Sequence, residues 1–151
     1  MTQSTDAFDR DVRRFVYDVV LRRGYPPTTA EAAAGLRATV DEVRACFARL
    51  AAGHILVLQS GAGEILMANP FSAVPTPFLV EFDDYACYGN CIWDAMGIVA
   101  MRGRDALIKT SCGDCGALME VRIVAGALQS GEGVAHYALP ARRWWDDIVF
   151  T

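Results

Sequence analysis

The chain has 151 residues, 53% of them hydrophobic and 21% charged, with a net charge of −4 and a pI near 5.1. That length buries one good core or two small ones leaning on each other, and the acidic balance argues against non-specific nucleic-acid binding, which needs a basic surface. No apolar run approaches the roughly 18–20 residues of a membrane span, and the polar, acidic stretch 1–11 is no signal peptide, so a cytoplasmic location is expected.

Apolar residues first recur at helical spacing at Phe8, Val12, Phe15, Val16, Val19 and Val20, predicting a helix over 8–20 that ends near Gly24, ahead of Pro26 and Pro27. Thr28 precedes Glu31 by three residues, and Thr39 precedes Glu42 by three, which is the capping-box spacing that opens a helix. The helix after Thr39 is expected to bury Val43, Cys46, Phe47 and Leu50 and to close at Gly53. A hairpin follows over 54–58 and 64–68, with Gly61 and Gly63 in its turn. Three helices and a two-stranded ribbon predict a winged helix-turn-helix domain over 1–68. That shape serves either DNA binding or packing. Residues 1–68 hold eight Arg against eight Asp plus Glu, and the third helix opens on Asp41 and Glu42. Such a helix start repels phosphates, so DNA is not an expected partner.

The stretch 69–77, with Pro70, Pro75 and Pro77, reads as a stiff linker. Beyond it, strands are expected over 78–82, 105–110 and 118–124, with shorter ones at 134–139 and 148–151, around one buried helix over 91–101. The fold class is thus α+β. The winged domain is followed, over 78–151, by a small mixed, largely antiparallel sheet domain with one buried central helix.

Chemistry is expected in the cysteine-rich stretch 87–115. Cys46 stands apart on an apolar helix face and reads as core. The other four cysteines run Cys87-x3-Cys91, twenty residues, then Cys112-x2-Cys115. One reading is a structural zinc site held by Cys87, Cys91, Cys112 and Cys115, with Gly113 and Gly116 letting amides approach the sulfurs of a knuckle. The other is a reactive thiol. Cys91 opens the central helix, where the dipole and free amides are expected to lower its pKa toward neutrality. Asp94 lies three residues on, over the same helix face. Its position between Trp93 and Met96 fits either a plain first-turn acid or a shielded carboxyl that exchanges protons.

The run Tyr85-Ala-Cys-Tyr-Gly-Asn-Cys91-Ile-Trp-Asp94-Ala-Met-Gly-Ile98, followed by Ala106-Leu-Ile-Lys-Thr-Ser111-Cys112, resembles the core of the alkylmercury lyases. In that family a strand leads into a Cys-x-x-Asp helix, a further strand ends in Ser-Cys or Ser-x-Cys, and a winged-helix-like domain and linker come first. The resemblance implies protonolysis of a carbon–mercury bond, yielding a hydrocarbon and Hg(II) as bound product, with no cofactor required. It implies Cys91 as the thiol that takes the mercury and Asp94 as the acid that delivers the proton. Cys112 falls where the family has a structural cysteine. The implied partners are an organomercurial substrate and a thiol reductant. The family's second catalytic cysteine follows a segment like Arg143-Trp-Trp-Asp-Asp-Ile-Val-Phe-Thr151 and has no counterpart within these residues. Either the reading frame continues past Thr151 into such a cysteine, or Cys87 or Cys115 substitutes for it, or the chain is not a competent lyase. His54 and His136 are expected at strand positions without ligand roles. Trp144 and Trp145 are expected to close the core beside Trp93.

Overall fold

The computed structural model describes residues 5–150. The first apolar stripe folds as α1 (Thr5–Arg23), burying Val12, Val16, Val19 and Val20. Both capping boxes form. Thr28 and Glu31 bond reciprocally at the start of α2 (Thr29–Leu36), and Thr39 and Glu42 do so at the start of α3 (Val40–Ala52). Arg23 also pairs with Glu31 at 2.8 Å, and this ion pair with the Thr28 amide holds the Glu31 carboxyl down to about 2. Thr28→Ala removes one half of the box and is expected to cost about 1 kcal/mol, a drop of roughly 3 °C in melting temperature by calorimetry. As expected, α3 buries Val43, Cys46, Phe47 and Leu50.

After α3 the chain forms one sheet from β1 (Leu56–Leu58), β2 (Ile65–Ala68), β3 (Phe71–Ser72), β4 (Leu79–Glu81), β5 (Ala86–Gly89), β6 (Ala106–Ser111), β7 (Leu118–Val124) and β8 (Ala127–Ser130). Its order is β1-β2-β3-β5-β4-β6-β7-β8, with every neighbouring pair antiparallel. Among the described residues of this half the one α-helix, α4 (Ile92–Arg102), lies between β5 and β6 in the chain. The architecture is α+β.

Residues 69–77, expected as a stiff linker, also supply the short strand β3. Phe71 and Ser72 pair with β2 on one side and β5 on the other, and Thr76 Oγ1 donates to the Gly89 carbonyl at 2.6 Å. Phe71 is fully buried, so its apolar side chain outweighs the rigidity of the neighbouring prolines. Two further expectations fail. Residues 134–139 form no strand, and among the described part of 148–151 there is none either. Instead, Ala141–Asp146 makes a short 3-10 helix after Pro140, and the sheet ends at β8 on this side.

Two apolar clusters result. The first gathers α1–α3 with Leu56, Ile65 and Ala68. The second packs Phe71, Val80, Cys87 and Ile108 under Ala95, Ile98 and Val99 of α4. Helix α1 belongs to both: Val12 and Val16 sit in the first cluster, Val20 in the second, and Tyr17 packs on each. The Tyr17 hydroxyl donates to the Asn69 carbonyl at 2.8 Å. Beyond α1, Gly24 adopts φ +90 with its Cα pressed on the Ala86 carbonyl of β5. No helix among the described residues is long and apolar enough to cross a membrane.

Candidate functional site

Strand β5 runs directly into α4, and Gly89 sets the junction. A Cβ there would lie 2.7 Å from the Ala95 nitrogen, so only glycine lets the strand end press on the first turn of the helix. Cys91 is the N-cap of α4 in an extended conformation. Its carbonyl accepts the Ala95 N–H at 2.9 Å, while its thiol makes no capping bond. The capping role is therefore carried by the main chain.

Cys91 and Asp94 share the wall of a cavity of about 220 Å³. Three separated stretches build it. Asn90, Cys91, Trp93 and Asp94 come from the start of α4, and Met67 and Asn69 from the end of β2. Tyr137, Trp144, Trp145, Ile148 and Val149 come from the C-terminal segment. That segment docks by stacking Trp145 on His54, with centroids 3.9 Å apart and planes 7° apart. Trp144 Nε1 donates to the Leu139 carbonyl at 3.0 Å. The tryptophans thus close a cavity rather than the core; Trp93 is 62% exposed and Trp145 41%. Neither histidine lies in a strand, and His54 occupies the turn after α3 with φ 59.

The Cys91 thiol and the Asp94 carboxyl lie near enough in this wall for each to bear on the other's titration. Burial pushes the Asp94 carboxyl up, against the downward pull of Asn90 and Cys91. Burial likewise pushes the Cys91 thiol up, opposite to the lowering expected at a helix N-terminus. The Asp94 and Trp93 amides do favour the thiolate, but desolvation beneath the C-terminal segment outweighs them. Asn90 holds Asp94 in place: its Nδ2 donates to Asp94 Oδ2 at 3.0 Å, and to Asn69 Oδ1 and the Pro70 carbonyl at 3.2 Å each. Asn90 Oδ1 and the Tyr137 hydroxyl are buried at this cavity with no hydrogen-bond partner among the described residues, which leaves both open to a ligand. Sequence reasoning overlooked Tyr137, because its stretch read as a strand.

The other thiols lie elsewhere. Cys87 pairs across the sheet with Val80, which pairs with Ile108, so the three share one face beneath α4. Burial pushes its thiol up to about 12, and Cys46 is pushed to about 12 in the same way. Cys112 and Cys115 sit on the turn between β6 and β7. There the Cys115 and Asp114 amides bring the Cys112 thiol below its ordinary range. Neither Cys87 nor Cys115 lines the cavity, so neither is positioned to join Cys91 on one ion. Among the described residues, no three His, Cys, Asp or Glu side chains come together to hold a metal. The four-cysteine zinc arrangement is therefore not assembled: Cys87 points into the core and Cys91 into the cavity.

A family model described as MerB: Alkylmercury lyase matches residues 71–151, more than half of the chain. The chain belongs to the alkylmercury lyase family. The matched residues include β3 to β8, α4 and most of the cavity wall. Among solved structures the chain is similar to one titled "Crystal structure of the mercury-bound form of MerB2", at a TM-score of 0.62 and 17% identity. The likeness covers 81% of this chain and 60% of that one, so the chain spans about three fifths of the length of the MerB2 structure. At this identity the likeness is one of fold. No curated protein matches the chain. The family's alkylmercury lyase core and its cavity leave Met67 and Asn69 outside the matched residues, contributed by the preceding ribbon.

Proposed function

We propose that the chain cleaves carbon–mercury bonds by protonolysis at Cys91 and Asp94. The observation that carries this reading is the placing of the Cys91 thiol and the half-buried Asp94 carboxyl together in the wall of one cavity. Mercury is soft and seeks sulfur. When the Cys91 sulfur binds the mercury of R–Hg–X, its proton passes to Asp94 and X leaves as an anion. Asp94 then returns that proton to the carbon as the carbon–mercury bond breaks, releasing R–H and leaving mercury on Cys91. No electrons are exchanged. Burial serves the second step, because a carboxyl pushed up in pKa holds its proton until the leaving carbon takes it. The tryptophans keep bulk water from competing. Among the described residues Cys91 is the one thiol in the cavity wall, so in this reading a solution thiol supplies mercury's second sulfur and carries the ion away.

The test is incubation of the purified chain with an organomercurial and excess small thiol, with the released hydrocarbon measured by gas chromatography. Wild type is expected to exceed the thiol-only background, and Cys91→Ser to fall to it. Wild type at background would end the proposal. Release is also expected to decline as pH rises through the raised pKa of Asp94, since only the protonated carboxyl can deliver the proton. A pH–rate profile flat across that range would contradict Asp94 as the donor.

In the N-terminal part, we read α1–α3 with β1 and β2 as a winged helix that packs against the sheet rather than contacting DNA. Several of its arginines are engaged by its own carboxylates: Arg23 by Glu31, Arg44 by Asp41 and Arg49 by Asp9. That leaves fewer free cations for phosphates.

A further inference from the structure

Outside the cavity, one cluster of nucleophilic side chains has no assigned role. It is the pair Cys112 and Cys115 on the turn joining β6 to β7. The turn is closed by two main-chain bonds, Cys112 N–H to the Ala117 carbonyl at 2.8 Å and Gly116 N–H to the Cys112 carbonyl at 2.9 Å. Gly116, at φ +71, takes the left-handed conformation that the return of the chain requires. Cys112 and Cys115 are thus the first and fourth residues of one closed turn, the two-residue gap of a thiolate knuckle. Cys115 is exposed and Cys112 half-buried, whereas Cys46 and Cys87 are sealed in the core. The pair is therefore reachable from solvent and carried on a single closed turn.

The surroundings select the ion. Zinc at a structural site takes four ligands, and no third His, Cys, Asp or Glu joins this pair among the described residues. Mercuric ion is satisfied by two thiolates in a near-linear arrangement and prefers soft sulfur to water or carboxylate. The sheet register places the pair relative to Cys91. Leu79 of β4 pairs with Tyr88 on one side and Lys109 on the other. Cys91 and Cys112 each stand three residues beyond those partners, following strand ends on the same side of the sheet. Neither Cys112 nor Cys115 lines the cavity that holds Cys91, so the pair is a site apart from it.

We propose that Cys112 and Cys115 form a second, separate binding site that takes one mercuric ion as a bis-thiolate. Two sulfur–mercury bonds form and two thiol protons go to water. Where the ion comes from Cys91, its bonds to that sulfur and to the solution thiol both break, and those two sulfurs take the two protons in place of water. Only this last source rests on the lyase reading; binding at the pair stands apart from it.

The test uses mercuric chloride on the full reduced chain, with a competing monothiol in excess, followed by desalting and measurement of mercury per chain. The Cys91→Ser variant removes the cavity thiol and is expected to retain about one equivalent. Adding Cys115→Ser breaks the chelate and is expected to weaken retention against the monothiol by roughly 10²- to 10⁴-fold. Near-ultraviolet sulfur-to-mercury absorption should appear with the first variant and vanish with the second. Equal retention by the two variants would overturn the proposal, as would retention of zinc but not mercury by the Cys91→Ser chain. Circular dichroism of each variant confirms the fold in either case. Hydrocarbon release plays no part in this readout, so a pair that fails to bind and a chain that lacks lyase activity give different results.

Discussion

Replacing Asp94 by Asn is expected to lower hydrocarbon release from an organomercurial by about 10²- to 10⁴-fold, the usual worth of a positioned general acid. The substitution keeps the shape of the side chain and an oxygen that can accept from Asn90 Nδ2, now 3.0 Å from Asp94 Oδ2. It removes the proton. The Cys91 thiol remains, so the organomercurial should still attach to the protein, and mass spectrometry should find the chain carrying R–Hg. Accumulation of that adduct with little hydrocarbon would separate loss of the acid from loss of binding. Stability guards against a trivial explanation. Burial raises the Asp94 pKa in the folded state, so the carboxyl suits the fold while neutral. That contribution is fully present below the unfolded pKa and is lost as pH rises through the folded one. Asn stays neutral throughout, and the variant is expected to melt no lower than wild type at pH 7. Full activity in Asp94→Asn would remove this residue from the mechanism.

Gly24→Ala is expected to be the most damaging single substitution to the fold. Gly24 sits at φ +90, where a side chain is strained, and its Cβ would fall 2.1 Å from the Ala86 carbonyl oxygen. Neither side can yield cheaply. Gly24 N–H is held to the Val20 carbonyl at 2.7 Å, and Ala86 opposes Glu81 in the sheet. Backbone strain of about 1–3 kcal/mol and overpacking of about 1–3 kcal/mol combine, which corresponds to a fall of roughly 10 °C in melting temperature. Gly97→Ala makes the contrasting case: a Cβ there meets nothing within 4 Å, and alanine inside α4 is expected to gain about 0.5–1 kcal/mol. Equal melting temperatures for the two variants would contradict the packing described between α1 and β5.

The elements that were legible in the sequence are those whose signals are local. The pairs Thr28–Glu31 and Thr39–Glu42 announce their helices because each capping box is made within three residues. The Cys91–Asp94 pairing was legible for the same reason, as both lie in one helical turn. What stayed hidden depends on distant partners. Strand β3 is two residues long and exists because β2 and β5 flank it. The upward shift of the Cys91 thiol depends on burial, and the wall over it comes from residues more than forty positions later. Trp144 and Trp145 look like core residues in any window of sequence. Only the stack of Trp145 on His54, a residue in the turn after α3, turns that segment over the cavity.

The shared membership of α1 in both apolar clusters bears on how the molecule comes apart. A protein with two separable cores would lose them in sequence, each with its own midpoint. Here Val16 and Val20 are one helical turn apart yet belong to different cores, so fraying that turn loosens both at once. A single cooperative transition follows, with the thiol at Cys91 becoming reactive at the same denaturant concentration at which helical signal from α1–α3 is lost. Removing residues 1–68 to isolate the cysteine-bearing half would take Val20 out of its core and Met67 out of the cavity wall. The ribbon that precedes the matched family segment thus supplies part of the cavity wall, and α1 part of the core beneath it.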